Sequence, residues 1–240
     1  MLTLIYALDM EKEFDRMIEE ILTLSTRRTI MLKVYDVKMA PLYNEDKKII
    51  HQQALWHKVV TGIVFNKKTK SLYFQTIYPK DSYAFDRPDY IDFSIGGHVN
   101  DGESVIEAIL REAKEELDLS DIAPDFLGIR ICNCDPAPAY RIREFQYFYG
   151  IETSQSLKDM SFSHSDKEVK SVIEIKIDDI LDLLLKIKQS INVNEVVLDR
   201  DTRKGTYTEN VSLVANRIIP DYYNDKSILE KILTIKSLMD

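Results

Sequence analysis

The sequence is poor in the residues that would mark a secreted, membrane-spanning or nucleic-acid-binding chain. Its 240 residues include two cysteines, Cys132 and Cys134. Their spacing is too short for an ordinary disulfide, and two thiols alone do not complete a zinc site. They read as strand residues in a reducing compartment. No apolar run approaches the roughly 18 residues of a membrane span. The first residues, MLTLIYALDMEKEF, carry no basic leader before Asp9, Glu11 and Glu13, so no signal peptide is expected and the chain is placed in the cytoplasm. Long basic stripes are absent and the net charge is −8, which argues against nucleic acid and anionic membranes as partners. An anionic small molecule is not excluded, because a bound cation inverts the local field.

What is present is a globular composition, 45% hydrophobic and 30% charged, enough for a substantial core. The length suits one large domain with appendages. Residues 1–50 read as an N-terminal appendage, with helical periodicity over Met10–Leu24, a strand-like run over Thr29–Val37 and a turn at Asn44–Asp46. A central domain over 51–192 opens with a strand His57–Phe65, a charged turn and a hairpin partner Ser71–Ile77. Tyr78–Asp89 is a loop rich in Pro, Asp and Tyr. Further strands are expected at Tyr90–Ile95, Phe126–Asn133, Glu144–Glu152 and Val169–Ile177, and an amphipathic helix at Asp178–Ser190. Residues 193–240 form a C-terminal extension packed on the domain, ending in a helix over Lys226–Met239. Helices alternating with mixed strands suggest an α/β sandwich.

The most informative stretch is GHVNDGESVIEAILREAKEELDL, from Gly97 to Leu119. Gly96 and Gly97 follow a strand-like run, and paired glycines permit a tight turn and close approach of backbone to a ligand. Val105, Ile109, Ala113 and Leu117 have helical spacing, with Asp101 and Ser104 as capping side chains. On that helix Glu112 and Glu116 share a face and Glu115 lies beside them, so the carboxylates repel unless something neutralises them. Arg111, four residues before Glu115, offsets part of the charge. A divalent cation would offset more, since hard ions such as Mg²⁺ take oxygen ligands and bridge carboxylates to phosphates. A solvated acidic face with Arg111 and Lys114 as ion-pair partners is the plainer alternative.

Gly97, Glu103, Arg111, Glu112, Glu115 and Glu116, at these offsets, resemble the Nudix box, the phosphate–metal motif of Nudix hydrolases. The resemblance implies an α/β/α sandwich with a mixed sheet and helical appendages at both ends. It also implies a Mg²⁺-dependent hydrolase, with Mn²⁺ as substitute, cleaving a diphosphate linkage in a nucleoside diphosphate derivative. Glu112, Glu116 and the carbonyl of Gly96 would hold the metal. Glu115 would be ligand or base, Glu168 a second candidate base, and Arg111 would orient the glutamates. Lys80 and Arg87 are candidates for phosphate contacts, and Tyr83, Phe85 and Tyr140 for stacking a ring. The partner is a small-molecule diphosphate, and a homodimer stays open as an assembly. A Nudix fold that senses a nucleotide without cleaving it is the competing reading.

Within the superfamily, Leu55-Trp56-His57 and Ser94–Val99 look most like the branch related to isopentenyl-diphosphate isomerase. In such isomerases a catalytic cysteine precedes the box glycine; here that position is Gly96, so isomerase activity is not expected. His57 and His98 match metal-binding histidines of that branch, and Glu144 lies in a strand carrying a further acidic residue. Together they would suit a transition metal. The alternative is that His57 begins a strand and His98 supports the turn. Asp118 stands where the Nudix pattern has glycine, and Asp is among the residues that tolerate the left-handed conformation needed there.

Overall fold

The stretch HKVVTGIVFN is apolar on both of its faces, the mark of a strand covered from both sides. It becomes the central strand of the fold. The computed structural model describes residues 30–78, 90–137, 140–162 and 167–239. The helix expected over Met10–Leu24, and the candidate contacts Lys80, Tyr83, Phe85 and Arg87, lie outside the described residues.

In chain order the strands are β1 (Met31–Tyr35), β2 (Pro41–Asp46), β3 (His57–Asn66), β4 (Ser71–Ile77), β5 (Asp92–Phe93), β6 (Ile95–His98), β7 (Asp125–Ala137), β8 (Tyr140–Glu152), β9 (Val169–Lys176), β10 (Ser190–Leu198) and β11 (Gly205–Val214). The α-helices are α1 (Lys47–Gln53), α2 (Val105–Leu117), α3 (Ile177–Leu184) and α4 (Lys226–Leu238). β1 and β2 form a separate hairpin, while the main sheet runs β11-β10-β9-β4-β3-β8-β7, with β5 beside β4 and β6 beside β3. β3 and β8 are parallel, and the other pairs antiparallel.

The strand period of two sends neighbouring side chains of β3 to opposite layers. Ile63 and Phe65 join Phe74, Phe148 and Ile173 beneath α3 and α4, which contribute Ile180, Leu183, Ile228, Ile232 and Ile235. Val60 and Val64 join Tyr73, Val172 and Val196 beneath α2, which contributes Ala108, Ile109, Ala113 and Leu117. Ile109 and Leu117 are fully buried; burial of such side chains stabilises by about 1.5–3 kcal/mol each. The result is an α/β/α sandwich on a mixed sheet, as the sequence suggests. Among the described residues no helix is long and apolar enough to cross a membrane.

Several boundaries differ from the sequence reading. Asn44–Asp46 is no turn: Asn44, Glu45 and Asp46 pair with Lys33, Leu32 and Met31. The reversal comes earlier, where the Asp36 carboxylate accepts from the backbone of Lys38 and Ala40, both at 2.8 Å, and Met39 takes a φ of 66°. Asp46 instead caps α1, accepting from Lys48 N. The helix expected to reach Ser190 stops at Leu184, because Lys186 turns left-handed at φ 58° and the next apolar residue, Ile187, finds no core. β10 then begins at Ser190 and pairs with β9, so residues on both sides of position 193 share one sheet.

Candidate active site

β6 delivers Gly96, Gly97 and His98 beside β3, with Gly96 opposite Thr61 and Gly97 opposite Val60. The chain then turns into α2, which carries the glutamates. A capping box starts the helix: Ser104 accepts from Glu107 N, and the Glu107 carboxylate accepts from Ser104 N at 2.8 Å. Such caps contribute about 1 kcal/mol. At the other end Asp118 adopts φ 52° and its N–H closes on Ala113 O, so aspartate does take the left-handed place expected of glycine.

Gly97 is required by contact. A Cβ built there would lie 1.8 Å from Glu112 Oε1 and 2.6 Å from its Cγ. The carboxylate of Glu112 thus occupies the space a side chain at 97 would need. Arg111 holds it there, donating from Nη1 to Glu112 Oε1 at 2.7 Å and to Glu115 Oε2 at 3.1 Å. The same guanidinium donates to both oxygens of Glu103, at 2.8 and 3.0 Å, and to the carbonyl of His98 at 2.9 Å. One arginine therefore ties the start of α2 to its glutamate-bearing face and to β6, in the bidentate geometry that suits carboxylates. Burial would raise the Glu103 carboxyl, but the hydrogen bonds from Arg111 and Asn100 hold it below the ordinary range. Burial pushes Glu112 up to about 7 against the pull of Arg111.

Glu116 is held by different partners. Gly96 N–H donates to its Oε2 at 2.9 Å, and Gln75 Nε2 to its Oε1 at 3.3 Å. Glu112, Glu115, Glu116, Arg111, Gly96 and Gly97 all line one cavity of about 650 Å³, and Glu168, reached from the far end of β9, lines it too. The expected box residues are therefore brought together with the second candidate base. Tyr140 lines the same cavity but stacks on His51, with ring centroids 4.5 Å apart. The box carboxylates can offer oxygens to a hard divalent ion. They do not, however, form one of the sets of three or more ligand atoms within 4.8 Å of one another among the described residues.

One such set lies next to the box. His51, His57, His98 and Glu144 each aim one ligand atom into a common point. His51 comes from α1, His57 and Glu144 sit opposite each other in the β3–β8 register, and His98 ends β6. His57 Nδ1 donates to Leu55 O at 3.0 Å, which leaves Nε2 as a lone pair. That Nε2 is buried without a hydrogen-bond partner, 3.7 Å from Glu144 Oε1. His51 Nε2 lies 3.2 Å from His98 Nε2. Burial drives both His51 and His57 down to about 4, with the neighbouring His57 adding to the effect on His51, so both are neutral near pH 7. Neutral imidazoles with an outer carbonyl fixing the tautomer, plus a carboxylate, fit a transition ion. His51 is absent from the sequence reading; its signal is a third histidine six positions before His57.

A family model of the NUDIX domain matches residues 55–193, more than half of the chain. No curated protein matches. Among solved structures, DR0079 from Deinococcus radiodurans is similar with a TM-score of 0.48 and 19% identity, over 65% of this chain and 88% of that one. The dihydroneopterin triphosphate pyrophosphohydrolase of E. coli follows at 0.40 and 16%, over 51% and 82%. The C. elegans Ap4A hydrolase gives 0.36 and 16%, over 52% and 84%. The family match spans the strands that present the glycines, the helix that presents the glutamates and the cavity between them, and the chain belongs to the Nudix family.

Proposed function

We propose that this chain is a metal-dependent Nudix pyrophosphohydrolase that cleaves the diphosphate linkage of a nucleoside diphosphate derivative, with Mg²⁺ as the working ion and Mn²⁺ able to replace it. The observation that carries the reading is the convergence of Arg111, Glu112, Glu115, Glu116 and Glu168 on one cavity. Glu112, Glu116 and the Gly96 carbonyl would hold the ion. The ion, when bound, polarises phosphoryl oxygens and lowers the pKa of a water. Glu115 or Glu168 takes the proton, and Arg111 fixes the carboxylates so that little reorganisation is needed. Tyr78, Tyr90, Phe93 and Tyr222 line the same cavity and give it an aromatic wall on which a base can rest. The reading places the chain in the cytoplasm, where Cys132 and Cys134 stay reduced.

The test is release of phosphate or nucleotide from a panel of nucleoside diphosphate derivatives with Mg²⁺ and with Mn²⁺. Glu116→Gln is the control, and it should lose at least about a hundredfold in rate while melting like the parent. Near-parental turnover of that variant would refute the assignment. A second reading, a sensor that binds without cleaving, is favoured by one observation: Glu103, Glu112, Glu115 and Glu116 all have partners within the protein. Tight nucleotide binding without turnover across the panel would select it.

The imidazole set is proposed as a separate centre for Mn²⁺ or Zn²⁺, since Mg²⁺ seldom takes imidazole.

A further inference from the structure

From the sequence alone Cys132 and Cys134 are two thiols short of a metal site. The fold supplies the missing ligand. β7 is an edge strand, and its period of two turns both thiols to one side. Their sulfurs are 3.7 Å apart. Facing them is Asp221, from the short 3-10 turn Pro220–Tyr222 in the C-terminal segment. One ligand atom from each of the three lies within 4.8 Å of the others. All three border the main cavity and also a smaller one of about 300 Å³ on the β7 side.

The sulfur separation decides between two chemistries. A disulfide needs sulfurs about 2.05 Å apart and Cα atoms within about 6.8 Å. Residues two apart in a strand are separated by about 6.6 Å at a rise of about 3.3 Å each, near the limit of that range. Tetrahedral zinc has Zn–S bonds of about 2.3 Å, and two such bonds span about 3.8 Å between sulfurs. The observed pair already stands at that distance. Two thiolates and a carboxylate more than neutralise a doubly charged ion, leaving one negative charge. The nearby cation, Arg130, has its Nε paired with Asp225 Oδ2 at 2.8 Å and meets only the backbone oxygen of Asp221, while its guanidinium also reaches the Cys132 sulfur, a contact that a metal-bound thiolate can keep.

We propose that Cys132, Cys134 and Asp221 form a zinc site, with the fourth position open to water, that fastens the C-terminal turn to edge strand β7 at the rim of the cavity. It shares no ligand with the imidazole set. Glu144 lies opposite Cys132 in the β7–β8 register but serves the other cluster. Thiolate ligands select zinc, and cobalt as its spectroscopic substitute, over magnesium.

The experiment uses the full chain, freed of metal and kept reduced with a phosphine. It is titrated with Co²⁺ while the thiolate-to-cobalt charge-transfer absorption in the near ultraviolet is followed. The parent should develop that absorption and lose it when Zn²⁺ is added. Cys132→Ser with Cys134→Ser should abolish it and lower bound Zn²⁺ by one equivalent in equilibrium dialysis. His98→Ala should keep it. Asp221→Asn should keep it but bind at least tenfold more weakly. Absence of the absorption in the parent, unchanged stoichiometry in the double serine variant, or unchanged affinity in Asp221→Asn would each overturn the proposal. None of these readouts depends on turnover, so the site stands or falls apart from the hydrolase reading.

Discussion

Replacing Gly97 by alanine adds one methyl group where the structure has none to spare. The new Cβ would sit 1.8 Å from Glu112 Oε1 and 2.0 Å from Cδ. The backbone at Gly97 does not have a left-handed φ, so no conformational penalty enters, and the whole effect runs through Glu112. That side chain, only 14% exposed, must swing away and give up its 2.7 Å bond from Arg111. Loss of a partly buried charge-assisted hydrogen bond costs about 1.5–3 kcal/mol. For a chain of this size, at about 2–4 °C per kcal/mol, that is a fall of roughly 3–12 °C in melting temperature. Two further variants isolate the cause. Gly96→Ala adds the same methyl one residue earlier, where nothing lies within 4 Å, and should leave melting unchanged. In a Glu112→Ala background the space is vacated, and Gly97→Ala should shift stability by less than about 0.5 kcal/mol. The double-mutant cycle should therefore show coupling of about 2 kcal/mol, measured by urea unfolding. Equal costs for Gly97→Ala in both backgrounds would refute the steric argument.

Three other outcomes are expected. Asp118→Ala should lower the melting temperature by about 2–8 °C, because alanine in the left-handed region costs about 1–2 kcal/mol, whereas Asp118→Gly should not; equal melting of the two variants would contradict the cap assignment. His98→Ala should weaken Mn²⁺ or Zn²⁺ binding at least tenfold in calorimetry while Mg²⁺-supported turnover drops less than tenfold. If turnover with Mg²⁺ collapses as well, the two metal sets are one centre. Finally, the parent should form no dimethylallyl diphosphate from isopentenyl diphosphate, since Gly96 has no side chain to move a proton at carbon; product that disappears on mutation of the box would show otherwise.

The box was readable because its information is local. Helical spacing places Glu112 and Glu116 on one face whatever the rest of the chain does, and the glycine pair announces a close approach that the Glu112 contact accounts for. Asp118 was legible for the same reason, as a residue-level backbone preference. The turn at Asn44–Asp46 failed because turn-forming residue types also serve as helix caps, and Asp46 is used as one. The strand expected over Tyr90–Ile95 is split at Ser94, whose hydroxyl accepts from Val64 N across the sheet, a long-range bond with no local trace. His51 and Asp221 were missed on the same ground: each joins its partners only through tertiary structure. Three of the four histidines gather at one point; the family resemblance points to His57 and His98, while His51 joins them only in the folded chain.

The in-register pairing of His57 with Glu144 on parallel strands has a kinetic meaning. Parallel neighbours so far apart in the chain close late, since loop entropy must be overcome before the contact contributes. A slip of one residue would send either side chain to the opposite layer. The imidazole–carboxylate quartet can therefore assemble only on a sheet whose central zipper has reached its final alignment. An ion captured there would act as a latch on the finished sheet, and its uptake during refolding would report the moment that long-range alignment is reached.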